Sequence, residues 1–227
     1  MNNPNIATFD TIIIGAGQCG LFAAKKLQDI GLNYLLLERN TVGQVWDERL
    51  EGMRLFTSRQ LCHLPGLAFP GEQNGFPDIS EMANYLCNYI ETFKLNIRER
   101  TKVINLTKNA NQFLIALENG ELLSAKTVIN ATGSNQVAYV PEISTKLSDQ
   151  VLQYDALLPS LSVIPSGKSV VVVGDGATGR QIAGGLAKRC QVTLATGVPR
   201  GMPPNTILGK YLFWKQKLQA VYSKFIT

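Results

Sequence analysis

The chain has 227 residues, roughly one and a half domains at about 150 residues per domain. Its composition, 45% hydrophobic and 17% charged with 20 glycines, is that of an ordinary globular protein and excludes disordered and collagen-like classes. The net charge of +5 is uneven: residues 1–175 carry 14 Lys+Arg against 17 Asp+Glu, while 176–227 carry 8 basic residues and no acid. Such a tract suits a nucleic acid, an anionic membrane or a phosphorylated cofactor. It lacks the aromatic interleaving that nucleic-acid binding uses, so no nucleic-acid partner is expected.

The four cysteines, Cys19, Cys62, Cys87 and Cys190, show no C-x-x-C or C-x-x-x-x-C spacing. That argues for reduced thiols and against a disulfide-reductase redox pair, which needs adjacent sulfurs. His63 is the single histidine, which excludes a histidine-rich metal site; no metal is expected. The polar start, Met1 to Asn5, has no basic n-region, so a cytoplasmic protein is expected. No apolar run approaches ~20 residues, so no transmembrane segment is expected.

In chain order, Phe9 to Ile14 reads as a buried parallel strand. Gly15 to Gly20 turns it into a helix, Leu21 to Asp29, with Gly31 in a C-cap position, and Tyr34 to Leu37 is the next strand. Thr41 to Gly75 is loop-rich, and loops this long inside a domain are usually functional. Asp78, with Glu81 three residues on, opens a helix to about Phe93. Lys102 to Ala131 reads as an antiparallel meander: Gln112 to Glu118 and Glu121 to Lys126 flank an Asn119-Gly120 two-residue hairpin, and Thr127 to Ala131 is a last strand. After a connector, 137–165, the opening pattern returns: strand Ser169 to Val173, turn Gly174 to Gly179, helix Arg180 to Arg189, strand Val192 to Ala195. Ile207 to Thr227, carrying Trp214, reads as an amphipathic helix. The fold class expected is α/β with two Rossmann-like dinucleotide-binding domains: 1–165, including the meander, and 166–227, an incomplete second one.

Gly15-x-Gly17-x-x-Gly20 spans Ala16, Gln18 and Cys19 and has the spacing of a pyrophosphate cradle. Gly15 permits the turn, Gly17 lets backbone approach phosphate, and Gly20 lets the helix pack on the strand. Glu38, 18 residues beyond Gly20, is placed to accept both hydroxyls of an adenosine ribose. The second motif, Gly174-Asp175-Gly176-Ala177-Thr178-Gly179, ends its second strand at Ala195-Thr196 without an acid. Arg180 opens the helix and Arg200 follows a few residues past the strand, which suits NADP better than NAD. Two such loops in series imply a flavoenzyme taking hydride from a nicotinamide. Gly167-Lys168-Ser169 resembles the end of a P-loop, but Ser162 stands where its first glycine belongs, and it precedes a strand. Cys19 fits its turn as a small residue more readily than as a reactive thiol. The sequons at Asn105 and Asn130 mean nothing without secretion.

Gly43-Gln44-Val45-Trp46, Met53-Arg54-Leu55-Phe56-Thr57-Ser58, Leu64-Pro65-Gly66, Phe69-Pro70 and Ala131-Thr132-Gly133 resemble the flavin-containing monooxygenase superfamily, over essentially the whole chain. The closest likeness is to its bacterial branch of flavoproteins similar to potassium-transport or Baeyer–Villiger-type monooxygenases. The resemblance implies FAD on Gly15–Gly20 with Glu38 and Arg39 near its ribose and Gln44, Val45, Trp46, Thr57, Val103, Ala131, Thr132 and Gly133 along it. It implies NADPH on Gly174–Gly179 with Arg180 and Arg200. It also implies reduction of FAD by NADPH, then O₂ forming a C4a-(hydro)peroxyflavin that oxygenates a small-molecule substrate. Two features depart from the family. The fingerprint F-x-G-x-x-x-H falls on Leu147, Asp149 and Gln153, keeping none of its fixed residues. Phe56 stands where many members have a flavin-side asparagine. The chain also ends inside what resembles a helical insertion, hence the expected incompleteness. Three readings stand: a monooxygenase-like oxidoreductase with FAD and NADP, an NAD(P)H:acceptor reductase or oxidase, and a catalytically silent FAD-binding remnant.

Overall fold

The computed structural model describes residues 6–109, 111–133, 139–148, 151–153, 160–197, 206–207 and 210–211. Contacts divide the chain into two compact units, Met1–Val163 and Ile164–Thr227.

In the first unit, strand β1 (Ala7–Ile14) leads through helix α1 (Gln18–Asp29) to β2 (Tyr34–Leu37). Gly31 takes a φ of 72° just past the helix, the left-handed conformation that ends a helix without a Cβ penalty. All four β2 residues are buried, as expected of an interior parallel strand covered on both faces. Alternation then sorts the side chains. Ile13 and Leu36 join a core with Leu21 and Ala24 of α1 and with Met82, Tyr85, Leu86 and Tyr89 of α4 (Ile79–Phe93). Ile12, Leu35 and Leu37 join a second core with Ile115, Leu117, Leu123 and Ala125. Each fully buried Ile or Leu contributes about 2 kcal/mol through removal from water.

The remaining strands are β3 (Ile97–Arg98), β4 (Val103–Asn109), β5 (Gln112–Leu117) and β6 (Leu122–Asn130). All belong to one six-stranded sheet in the order β3-β2-β1-β6-β5-β4. Strand β3 carries too few residues to show a period. The two strands read from Glu121 to Ala131 are one: β6 pairs parallel with β1, from Ala7↔Leu123 to Ile14↔Asn130, and antiparallel with β5. The meander is thus an extension of the parallel sheet.

The Asn119-Gly120 turn also differs from the two-residue hairpin. Gly120 has φ of 88°, but Asn119 is not among the positive-φ residues, and the Gly120 amide donates to the Leu117 carbonyl at 3.0 Å. Glu118 and Asn119 therefore form the turn and Gly120 follows in the left-handed region, the three-residue hairpin loop. Asn119 is spared a positive φ because its side chain instead accepts the Glu121 amide at 3.0 Å.

The loop-rich segment after β2 contains two one-turn helices, α2 (Gln44–Asp47) and α3 (Arg59–Cys62). It is pinned along α4. Asp78 and Glu81 form a complete capping box. The Tyr85 hydroxyl donates to the Leu67 carbonyl at 2.7 Å and accepts the Leu64 amide at 2.6 Å, and the Tyr89 hydroxyl donates to Pro65 at 2.7 Å. Tyr85, Tyr89 and Phe93 stand one turn apart on that face, so the Leu64–Leu67 turn is held against the helix. Burial pushes the Tyr89 hydroxyl up to about 12.

In the second unit, β7 (Ser169–Val173), α5 (Ala177–Leu186) and β8 (Gln191–Ala195) form another β-α-β, with β7 and β8 parallel from Ser169↔Gln191 to Val173↔Ala195. Beyond it, β9 (Thr206–Ile207) pairs antiparallel with β10 (Lys210–Tyr211). This corrects the helix expected from Ile207: β-branched Thr206 and Ile207 favour extended backbone, and Gly209 is a poor helix interior residue. Trp214 and the remainder of that expected helix lie outside the described residues.

Candidate functional site

Each β-α-β carries its glycine motif between first strand and helix. In the first, Gly15 has φ of 102° and donates its amide to the Leu37 carbonyl at 2.8 Å, tying the loop to the end of β2. A Cβ on Gly15 would lie 2.5 Å from the Ala131 carbonyl oxygen, and one on Gly20 only 1.9 Å from the Gly15 carbonyl oxygen. Both positions are thereby restricted to glycine. Gly17, the α1 N-cap, has open space around its missing Cβ among the described residues.

Of the three described helices with ten or more residues, α4 caps itself completely. Helices α1 and α5 have glycine N-caps, no side-chain cap and no acid in the first turn. Among the described residues their first N–H groups therefore have no side-chain cap, and with the positive dipole end this is the arrangement that receives an anion.

Glu38 lies across from the first loop. Its carboxylate accepts the Ala16 amide at 2.8 Å through Oε2 and the Asn40 amide at 3.0 Å through Oε1. Each oxygen keeps a further lone pair, so the carboxylate is fixed at the strand end with acceptor capacity to spare. Ala131 packs on Gly15 and donates its amide to Ile14 at 2.8 Å. Asn130 Oδ1 accepts from the Thr132 amide at 3.2 Å and hydroxyl at 2.8 Å, and Gly133 follows at φ of 79°. The structure thus brings Gly15, Ala16, Gly17, Gly20, Glu38 and Ala131 together. Gln18 is half-buried, whereas Cys19 and Arg39 are exposed.

Other candidate residues are engaged elsewhere. Gln44 ties Thr41 to Glu48, accepting the Thr41 hydroxyl at 3.2 Å and donating to Glu48 at 2.6 Å. The Arg49 guanidinium lies 4.7 Å from the Trp46 ring, Val45 is exposed, and a Cβ on the preceding Gly43 would come within 3.1 Å of Ala83 on α4. Thr57 Oγ1 is 3.0 Å from Cys62 Sγ, and burial pushes that thiol up despite Thr57 and nearby Arg59. Burial likewise raises Cys87, with Glu99 adding to it. Neither is a poised thiolate nucleophile. Val103 begins β4 at an irregularity in its pairing with β5. No sequence pattern marks Arg59, a nearly buried arginine paired with Glu81 and wrapped so that a Cβ on Gly75 would meet its Nη1 at 2.5 Å. Arginine is usually exposed, and its partner lies outside any local pattern.

The second loop repeats the geometry. Gly174 has φ of 106° and donates to the Ala195 carbonyl at 3.0 Å, and a Cβ on Gly179 would again lie 1.9 Å from the carbonyl oxygen of the motif's first glycine. Gly176 is open, as Gly17 is. Three things differ. Among the described residues nothing lies within 4 Å of a Cβ on Gly174; Thr196 follows the strand where Glu38 follows β2; and the Arg180 Nε donates to the Asp175 carbonyl at 2.8 Å. Ala177 is exposed and Thr178 half-buried in the first turn of α5. Arg200 lies outside the described residues. Among the described residues no group of His, Cys, Asp and Glu gathers as a metal site, and no helix is long and apolar enough to cross a membrane.

Two glycine loops on parallel β-α-β units define a dinucleotide-binding flavoprotein fold. The family model for pyridine nucleotide-disulphide oxidoreductases matches residues 12–201, and the chain belongs to that family. An uncharacterized CzcO-like oxidoreductase of Geobacillus kaustophilus is 37% identical over 207 residues, which cover 90% of this chain and 59% of that protein. The chain thus spans about three fifths of that relative's length. Among solved structures, a double mutant of a flavin monooxygenase from Stenotrophomonas maltophilia superposes with a TM-score of 0.77 at 24% identity, covering 89% of this chain and 61% of its own. OTEMO in complex with FAD and NADP superposes with a TM-score of 0.64 at 24% identity, covering 84% of this chain and 39% of its own. These likenesses show the fold.

Proposed function

We propose that this chain carries the two nucleotide-binding loops of an FAD-dependent, NADPH-using oxidoreductase of monooxygenase type, acting with molecular oxygen on a small organic substrate. The observation that carries the reading is the pair of uncapped helix N-termini behind glycine loops of matching geometry, with a carboxylate at the strand end of the first and none at the second. FAD, bound to the first, supplies two-electron chemistry between nicotinamide and oxygen.

The chain's residues fit that assignment. Gly17 leaves room for a phosphate beside the α1 amides, and Glu38 retains acceptors for ribose hydroxyls. Ala131 closes the loop's far side by packing on Gly15, and Gly133 turns the chain after β6. In the second unit Gly174, Gly176 and Gly179 form the cradle for NADPH, and Thr196 places no carboxylate where it would repel a 2′-phosphate. The Stenotrophomonas flavin monooxygenase and the FAD- and NADP-bound OTEMO support the choice of cofactors and reaction type.

An anaerobic titration of the purified chain with NADPH, followed by its visible spectrum, tests this. Bound flavin bleached by NADPH, then reoxidised by oxygen without stoichiometric peroxide when a substrate is present, is the expected result. Bleaching with full peroxide release would make it an oxidase. Flavin that NADPH does not bleach would leave a silent binding protein, and a colourless chain would overturn the flavin assignment.

A further inference from the structure

The second loop holds an ion pair that the first lacks. Arg180 stands in α5 one residue beyond Gly179, where the first motif has the fully buried Leu21, and Asp175 stands where the first has the buried Ala16. The Arg180 side chain runs back past the helix start: Nε donates to the Asp175 carbonyl at 2.8 Å, and Nη2 lies 3.5 Å from the Asp175 carboxylate. The guanidinium is therefore held beside Asp175, the residue between Gly174 and Gly176, at the start of α5. A helix N-terminus is the wrong end for a cation, because the macrodipole already makes it positive. A single carboxylate at 3.5 Å is a loose, half-exposed partner that offsets this only in part.

Resting on the reading of this loop as a nicotinamide-dinucleotide site, we propose that Arg180 is its pyrophosphate cation and Asp175 the internal counter-ion that the pyrophosphate displaces. Binding exchanges one anion for another on the same guanidinium. The pyrophosphate lies at the helix start, whereas a 2′-phosphate lies out at the end of the second strand, beside Thr196. Arg180 consequently strengthens NADH and NADPH binding alike and does not discriminate between them. Asp175, by competing, sets how tightly either is held.

The test is calorimetric titration of the flavin-loaded chain with NADH and, separately, NADPH, with thermal melting to verify that each variant is folded. Arg180→Gln should raise both dissociation constants by the same factor, about tenfold, the size of one charge-assisted contact. Arg180→Lys should recover part of the loss, and Asp175→Asn should tighten both ligands about threefold. The wild-type affinity should also fall more steeply with salt than that of Arg180→Gln. A loss confined to NADPH would overturn the assignment in favour of a 2′-phosphate contact. Unchanged affinities in variants of a chain that binds dinucleotide would overturn it in favour of a surface ion pair. Should Arg180→Gln not fold, Asp175→Asn decides the matter, and failure to tighten binding counts against the proposal. A wild-type chain that binds neither ligand overturns the reading of the loop itself, and this assignment with it.

Discussion

The two β-α-β units share a loop geometry and differ in what surrounds it. In both, the last glycine of the motif approaches the first to a Cβ distance of 1.9 Å, and the helix begins on a glycine without a side-chain cap. Around the first loop the sheet continues: β6 places Ala131 against Gly15, and Glu38 reaches the Ala16 amide. Around the second, among the described residues, the space beside Gly174 is open and Asp175 is engaged by Arg180 instead of by a neighbouring strand. Val171 of β7 is also exposed where Ile12 of β1 is fully buried, and Val173 is exposed where Ile14 is half-buried. The glycine motif alone thus specifies the turn, while neighbouring strands decide how rigidly it is held.

The largest expected effect tests what the units share. Gly20→Ala and Gly179→Ala each force a Cβ into backbone and should each cost on the order of 3 kcal/mol in denaturant unfolding. The first should abolish flavin retention and the second nicotinamide binding; variants that keep both stability and ligand would break the parallel. Next comes the difference. Gly15→Ala meets both a strained φ and the Ala131 carbonyl, whereas Gly174→Ala meets only the strain. Their penalties should therefore be unequal, about 3 against about 1 kcal/mol by the same unfolding assay. Equal penalties would show that the open space beside Gly174 is filled in solution.

Glu38→Gln should then cost about 1 to 2 kcal/mol and about tenfold in flavin affinity, because two backbone amides lose a charged acceptor. Its mirror image, Thr196→Glu, should move the NADPH-to-NADH affinity ratio about tenfold toward NADH in direct titration.

The smallest effect is acid sensitivity. The Arg59 guanidinium beside Glu81 holds that carboxyl below its ordinary range, and Lys126 does the same for Asp10. A carboxyl lowered in the folded state stabilises above its unfolded pKa and ceases to do so as pH falls through its folded pKa. Stability of the first unit should therefore decline below about pH 4.5. Glu81→Gln should flatten that limb in melts recorded from pH 6 to pH 3, and an unchanged slope would remove the Arg59–Glu81 pair from the account. The second unit has Asp175 as its single acidic side chain, so acid should loosen the first unit sooner.

Both β-α-β units, both glycine loops and the Asp78 cap were legible in the sequence, because each rests on contacts within a few residues. Glu38 was legible as a carboxylate at a strand end, though its bonds to the Ala16 and Asn40 amides were not. What escaped depends on distant partners. Strand β3 is two residues long and exists through its pairing with β2. The burial of Arg59 depends on Glu81 and on the chain folding round it through Gly71 and Gly75. The Asp175–Arg180 pair joins two residues already singled out, but its direction, back out of the helix, depends on a rotamer that composition does not reveal.

The sharing of β6 has a consequence for the order of assembly. This strand is the hydrogen-bonded neighbour of both β1 and β5, so the first glycine loop gains its Ala131 wall only after nearly the whole first unit has been synthesised. A nascent chain ending before residue 130 would hold β1 with one edge unpaired, an edge that recruits other strands and invites aggregation. Closure of that long loop of sequence should therefore be a late and slow folding event, and ligand at the first glycine loop should act on it as a latch.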